Sequence, residues 1–71
     1  MRSRLTNIRS LSGQEREFLS LVVAGLRDRE IAERLSLSLA DVQEMVAKLI
    51  KKLGVSNRLG LVLEGLRLLG Q

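Results

Sequence analysis

Residues 30–53, EIAERLSLSLADVQEMVAKLIKKL, decide the fold of this chain because their apolar positions follow a helical period that is interrupted once. The first apolar stripe consists of Ile31, Ala32 and Leu35. The second stripe begins after the interruption and consists of Val42, Val46, Leu49, Ile50 and Leu53. Residues three and four apart share one face of a helix, so the stretch predicts two helices joined by a turn of about three residues.

Ser38 is the predicted N-cap of the second of these helices. Its hydroxyl can accept a hydrogen bond from the first turn, and Asp41 stands where the acid of a capping box is found. A short helix, a tight turn and a longer helix form a helix-turn-helix, whose second helix can enter the DNA major groove. The pattern therefore predicts this motif and poses the question whether its second helix contacts DNA.

The flanking segments predict two further helices. Ser12 and Glu15 have capping-box spacing, and the helix that follows carries a broad apolar face, with Glu15 assigned to the opposite, polar side. Gly25 is expected to end this helix in a left-handed conformation, and Gly54 is expected to end the long one. At the start of the short helix, Asp28 has better capping chemistry than Arg27.

The resulting prediction is an all-α fold, a compact four-helix bundle that contains the helix-turn-helix. We expect helices at about 13–24, 28–35, 39–53 and 57–69. Residues 1–10 are predicted to be a flexible basic arm, and residues 11–71 to be the domain. Arg2, Arg4 and Arg9 of the arm suit either a phosphate-contacting segment or an unstructured terminus.

Composition argues against several classes of protein. The 71 residues are enough for one domain, and they include no histidine, cysteine, tryptophan or tyrosine. The usual general base, thiol nucleophile and soft metal ligands are therefore missing, so we expect no catalytic residues, no metal and no cofactor. The N-terminus lacks the apolar core of a signal peptide, and no apolar run approaches the roughly 20 residues of a membrane span. We therefore expect a cytoplasmic protein.

The charge balance favours a polyanionic partner. Twelve Lys and Arg residues against eight Asp and Glu give a net charge of +4, which suits nucleic acid but also plain solubility. The last predicted helix is apolar on more than one face, which predicts self-association or, alternatively, a few leucines left in water. The residues predicted to form a dimer interface are Leu61, Leu68 and Leu69.

Several short motifs occur together at specific intervals in residues 11–69. They are Leu11-Ser12-x-x-Glu15-Arg16-Glu17, Ala24-Gly25-Leu26, Glu30-Ile31-Ala32-x-x-Leu35, Leu37-Ser38, Val42, Lys52-Leu53-Gly54-Val55 and Asn57-Arg58. In these residues the chain resembles the C-terminal DNA-binding domain of LuxR/FixJ-type (GerE-like) bacterial transcriptional regulators. The resemblance implies a four-helix bundle whose third helix reads the major groove, whose second helix touches phosphates and whose fourth helix commonly pairs two copies.

The resemblance also has a conspicuous departure. The family usually starts its recognition helix with Thr-Val-Lys and a histidine two residues later, where this chain has Asp41-Val42-Gln43-Glu44-Met45. Helical spacing selects as base-reading residues Gln43, Glu44, Ala47 and Lys48. The phosphate-contacting candidates are Arg29, Lys51, Lys52 and Arg58, although a solvated Arg29 fits equally. Because Asp41 and Glu44 place negative charge at the groove-facing end, we expect weaker DNA binding than in a typical member.

The sequence thus predicts a DNA-binding transcriptional regulator, or the output domain of one, that acts on double-stranded DNA as a homodimer. Family members usually carry a sensor domain in front, where this chain has ten residues. We expect either an excised domain or a stand-alone version controlled by abundance, dimerisation or a separate sensor or partner protein. The alternative is a degenerate helix-turn-helix scaffold that mediates protein interaction or dimerisation without sequence-specific readout. A membrane-surface peptide is disfavoured because the arm has no Trp or Phe anchor.

Overall fold

The computed structural model describes residues 11–70 and consists of four helices. They are α1 (Gly13–Val23), α2 (Asp28–Leu35), α3 (Leu39–Leu53) and α4 (Arg58–Leu69). No strand occurs within this described part, and the predicted all-α fold is confirmed. α1 ends one residue earlier and α4 begins one residue later than predicted, within the usual uncertainty of helix ends. The predicted arm at residues 1–10 lies outside the described residues.

Two predicted capping boxes are confirmed. The Ser12 hydroxyl accepts from the Glu15 N–H at 3.0 Å, and the Glu15 carboxylate accepts from the Ser12 N–H at 2.9 Å. At α3, the Ser38 hydroxyl accepts from the Asp41 N–H at 3.0 Å, and the Asp41 carboxylate accepts in return at 3.4 Å. These bonds satisfy backbone donors that a helix start otherwise leaves without partners.

The predicted N-cap at Asp28 is wrong. Arg27 occupies the cap position with an extended backbone, and the Glu30 carboxylate accepts from the Arg27 N–H at 2.7 Å. Asp28 lies in the first turn, where its charge still suits the helix dipole. Its carboxylate contacts the Arg58 guanidinium of α4 at 2.5 Å. The Asp28 side chain, which local capping rules assigned to a backbone N–H, therefore pairs instead with a residue 30 positions away in the chain.

Left-handed residues end the first three helices. Gly25 (φ 91°) and Gly54 (φ 71°) confirm the prediction, whereas α2 ends at Ser36 with φ 58°. After Ser36, the Leu37 N–H donates to the Ala32 carbonyl at 2.8 Å, which closes the helix end. A side chain at left-handed φ costs about 1–2 kcal/mol, so the sharp turn between α2 and α3 is held against local preference.

The hydrophobic core lies where α1 packs on α4 and α2 packs on α3. Its fully buried large side chains are Phe18, Leu19, Ile31, Val42, Leu49 and Leu61. Gly65 of α4 lies directly against α1, where a Cβ atom would approach Val23 Cγ2 to 2.5 Å. The absence of a side chain at Gly65 thus allows the close approach of α1 and α4.

Candidate nucleic-acid interface

The outward face of α3 is defined by what the helix buries. Val42 and Leu49 lie about two helical turns apart, are both 0% exposed and anchor α3 to the core. The positions on the other side of the helix are in water, and they include all four predicted base-reading residues, Gln43, Glu44, Ala47 and Lys48. The structure thus brings these side chains together along one exposed helical surface, as the spacing predicted.

The charge of this surface changes from negative to positive along the helix. Asp41 and Glu44 lie in the N-terminal half, and the Asp41 carboxylate is engaged with the Ser38 backbone N–H. The cations of the C-terminal half are Lys48, Lys51 and Lys52. An open depression beside the N-terminal half is lined by Leu37, Asp41, Glu44, Met45 and Lys48. The N-terminal end of this face is therefore acidic and partly apolar, and its C-terminal end is basic, in contrast to a uniformly basic helix.

The four predicted phosphate-contacting cations fall into two groups. Arg29 and Lys51 are exposed and have no ion-pair partner among residues 11–70. Lys52 Nζ lies 2.8 Å from Glu15 Oε1. Arg58 contacts Asp28 at 2.5 Å and also donates to the Leu26 carbonyl at 3.4 Å. Two of the four cations are therefore engaged in ion pairs that tie helices together before any phosphate arrives.

Glu15 was assigned to the polar side of α1, and that assignment is wrong, since the residue is only 5% exposed. Its carboxylate accepts from the Ser12 N–H and from Lys52 Nζ, and Lys48 Nζ lies 4.0 Å away. The hydrogen bond from Lys52, the hydrogen bond from Ser12 and the nearby lysine charges lower the pKa of Glu15 below its ordinary value, although burial opposes this. Helical spacing carried the missing signal, because Phe18 and Leu19 lie three and four residues on.

The lowered pKa of Glu15 predicts a specific acid sensitivity. A carboxyl group whose pKa is lower in the folded state stabilises the fold above its unfolded pKa, near 4.5, and loses that contribution as pH falls through the folded value. We expect the difference in Tm between the wild type and Glu15→Gln to be constant near neutral pH and to shrink below about pH 4.5. Thermal melts at several pH values measure this, with Glu17→Gln as the control. A difference that stays constant down to pH 3 contradicts it.

Two of the three predicted dimer residues are not available for an interface. Leu61 is 0% and Leu68 3% exposed, because they face α1 and the core from the same side of α4 as Gly65. Leu69, the third, is partly buried against the same cluster. The leucines that α4 presents to water are Leu59, Leu63 and Leu66, at 66%, 58% and 54% exposure. They are four and three residues apart and so form a single stripe.

A short helix and a longer helix capped at Ser38, joined by a three-residue turn and packed with two flanking helices, define the class of helix-turn-helix domains. Residues 9–64 match the model of a family described as bacterial regulatory proteins, luxR family. The chain belongs to this LuxR family, which confirms the resemblance seen in its motifs. Its helix-turn-helix is therefore of the kind found in these bacterial regulatory proteins.

Curated proteins with similar sequences are also regulators. Transcriptional regulatory protein MctR of Rhizobium johnstonii is 40% identical over 52 residues, which cover 73% of this chain and 24% of that protein. Methanol utilization control regulatory protein MoxX of Paracoccus denitrificans is 36% identical over 62 residues, or 87% of this chain and 28% of that protein. The chain spans about a quarter of the length of these relatives. No solved structure shows significant similarity to it. The alternative of a scaffold without DNA readout is not favoured by these relationships.

Proposed function

We propose that this domain binds double-stranded DNA by inserting α3 into the major groove. The observation that carries the proposal is the exposed row of Gln43, Glu44, Ala47 and Lys48, held outward by the fully buried Val42 and Leu49. An α-helix fits the width of the B-DNA major groove. The protein acts in this proposal as a cytoplasmic regulator without catalytic activity or cofactor, in keeping with the regulatory roles named for its relatives.

Each exposed side chain of the row suits a particular base edge. Gln43 can pair with adenine through two hydrogen bonds, and Glu44 can accept from the amino group of cytosine. Lys48 can donate to guanine, and the Ala47 methyl group can pack on the methyl group of thymine. Readout by these four residues includes an acidic contact, so we expect the preferred site to contain a cytosine opposite Glu44.

The four cations proposed to contact the DNA backbone differ in whether they already form an ion pair within the domain. Arg29 and Lys51 are exposed and hold the domain on phosphates in this proposal. Lys52 and Arg58 first have to leave, or share, the carboxylates of Glu15 and Asp28. Only two of these cations are without an ion-pair partner, and two acids lie at the start of α3. The domain therefore binds random DNA weakly in this proposal, and its affinity depends strongly on contacts other than those to phosphate.

An amide-resolved titration with random duplex DNA at two salt concentrations tests the binding mode. We expect salt-sensitive shifts at residues 27–30 and 41–52, because these segments carry the proposed contacts. Shifts confined to α4, or no shifts at low salt, contradict the proposal. Gel shifts on promoter fragments from the source genome then test whether binding is selective for sequence.

We also infer that two copies associate through α4. The stripe of Leu59, Leu63 and Leu66 is contiguous along one side of a helix whose other side is packed in the core. A two-fold dimer places the same patch of each copy in contact, and a leucine stripe is self-complementary in this sense. Pairing of two domains would present two α3 helices to two half-sites on one face of the DNA.

Substituting Leu63 with lysine is expected to raise the dimer dissociation constant by at least about tenfold, because a charge at the centre of an apolar interface is left without a partner. Sedimentation equilibrium over a range of concentrations measures it. The control is Gln14→Lys, which adds the same charge at an exposed position of α1. A wild-type protein that stays monomeric at all concentrations, or an unchanged constant in Leu63→Lys, contradicts the interface.

A further inference from the structure

One buried carboxylate lies beneath the basic half of α3. Glu15 Oε1 is 2.8 Å from Lys52 Nζ, and Glu15 Oε2 is 4.0 Å from Lys48 Nζ. The Glu15 side chain is 7% exposed, whereas the side chains of Lys52 and Lys48 are 35% and 67% exposed. The two lysines therefore bridge between a fixed internal anion and the solvent into which the proposed DNA phosphates would come.

We propose that Glu15 competes with DNA phosphate for Lys52 and Lys48 and thereby lowers the affinity of the basic half of α3 for DNA. This inference rests on the proposed binding of DNA by α3. It assigns to a residue of α1, which makes no contact with DNA in this proposal, a direct influence on DNA affinity.

Glu15 holds Lys52 more tightly than it holds Lys48. Lys52 makes a short, charge-assisted hydrogen bond to a carboxylate that also accepts from the Ser12 N–H. If Lys52 turns to a phosphate, Glu15 keeps only one close hydrogen bond in a site with almost no access to water, which is costly for a buried charge. Lys48 is held at 4.0 Å only, so it reaches phosphate readily but still within the field of Glu15.

The consequence is visible in the charge on α3. Lys48, Lys51 and Lys52 supply three positive charges to its C-terminal half, and Glu15 offsets one of them from below. Protein–DNA affinity and its salt dependence follow the number of phosphates neutralised. Removing the Glu15 charge therefore adds about one effective contact without adding any residue to the DNA-facing surface.

A purely structural role is the competing explanation. On that view the pair only fastens α1 to α3, and Lys52 never contacts DNA. Removal of the Glu15 charge would then destabilise the fold and leave the DNA affinity of the folded protein unchanged apart from a general charge effect.

Glu15→Gln is the decisive variant, because glutamine keeps an oxygen that can accept from the Ser12 N–H and removes the charge. Glu17→Gln on the exposed side of the same helix is the matched control with the same change in net charge. Fluorescence anisotropy with a random duplex at several salt concentrations gives the Kd and the salt slope. For Glu15→Gln we expect about fivefold tighter binding near 0.15 M salt and a slope steeper by about one, against less than twofold for Glu17→Gln.

A double-mutant cycle with Lys52→Gln locates the effect. In the wild-type background, Lys52→Gln should change DNA affinity by less than twofold, because Glu15 withholds the lysine. In the Glu15→Gln background, the same change should remove the fivefold gain. Equal effects of Lys52→Gln in both backgrounds overturn the proposal. Circular dichroism melts establish that each variant is folded at the temperature of the binding assay.

A measurement on the unmodified protein covers the case in which Glu15→Gln does not fold. The carboxyl carbon resonance of Glu15 in wild-type protein should move on addition of DNA as Lys48, the more loosely held partner, turns toward phosphate. An unmoved resonance at saturation overturns the proposal. Affinity of folded Glu15→Gln equal to or below that of Glu17→Gln also overturns it while leaving DNA binding intact. Failure of every variant and of the wild type to bind DNA overturns the proposed function as well.

Discussion

Replacing Gln43 and Glu44 together with lysine is expected to tighten binding to random duplex DNA by about thirtyfold near 0.15 M salt. Both positions lie on the exposed face of α3, in the half that now carries acidic charge. Two new phosphate contacts steepen the salt slope by about two units, and loss of the Glu44 charge removes a repulsive term. Anisotropy titrations at several salt concentrations measure both quantities.

The matched control changes the same residue types elsewhere. Gln14 and Glu17 are exposed on α1, so Gln14→Lys with Glu17→Lys gives an identical change in net charge. We expect this control to tighten binding only a few fold through the overall field of the protein. Equal gains in the two double variants would mean that α3 does not lie against the DNA, and the proposed docking would fail.

Leu61→Ala is expected to destabilise the domain by about 3–5 kcal/mol, which is most of the stability of a domain of this size. Leu61 is fully buried between α4 and the rest of the core, and truncation leaves a cavity that rigid neighbours cannot fill. Urea denaturation followed by circular dichroism measures the free energy of unfolding. The variant should be largely unfolded at temperatures where the wild type is folded.

Leu63→Ala, two residues further along the same helix, is the control. Leu63 is 58% exposed, so its truncation should cost less than about 1 kcal/mol in the monomer. At protein concentrations that favour association, its effect should grow if α4 forms the dimer interface. Similar losses for Leu61→Ala and Leu63→Ala at low concentration would contradict the orientation of α4 described here.

Prediction from the sequence succeeded where structure depends on neighbours in the chain. The capping boxes at Ser12 and Ser38 and the helix stops at Gly25 and Gly54 all involve contacts within a few residues. The exposed face of α3 also followed from spacing alone, because the apolar stripe of a helix leaves its other side in water. Family membership was readable for the same reason, since its motifs are short local patterns at fixed intervals.

Prediction failed where one side chain had several possible partners. Asp28 was expected to cap α2, but Arg58 of α4 offers its carboxylate a charged partner. Leu61 and Leu68 were assigned to an interface because α4 is leucine-rich all round, and periodicity cannot say which side meets the core. Gly65 held the missing information, since the glycine marks the side of α4 that approaches α1 most closely.

The sequence by itself determined that residues 11–70 form four helices, where each begins and ends to within one residue, and which side chains α3 turns outward. These properties follow from backbone hydrogen bonding and helical periodicity, which act over a few residues. Only the tertiary structure decided that Glu15 is buried beneath Lys48 and Lys52, that Arg58 is held by Asp28, and that Leu59, Leu63 and Leu66 face the solvent. The ion pairs of Glu15 with Lys52 and of Asp28 with Arg58 join residues 37 and 30 positions apart, and such pairings are settled by how the helices pack.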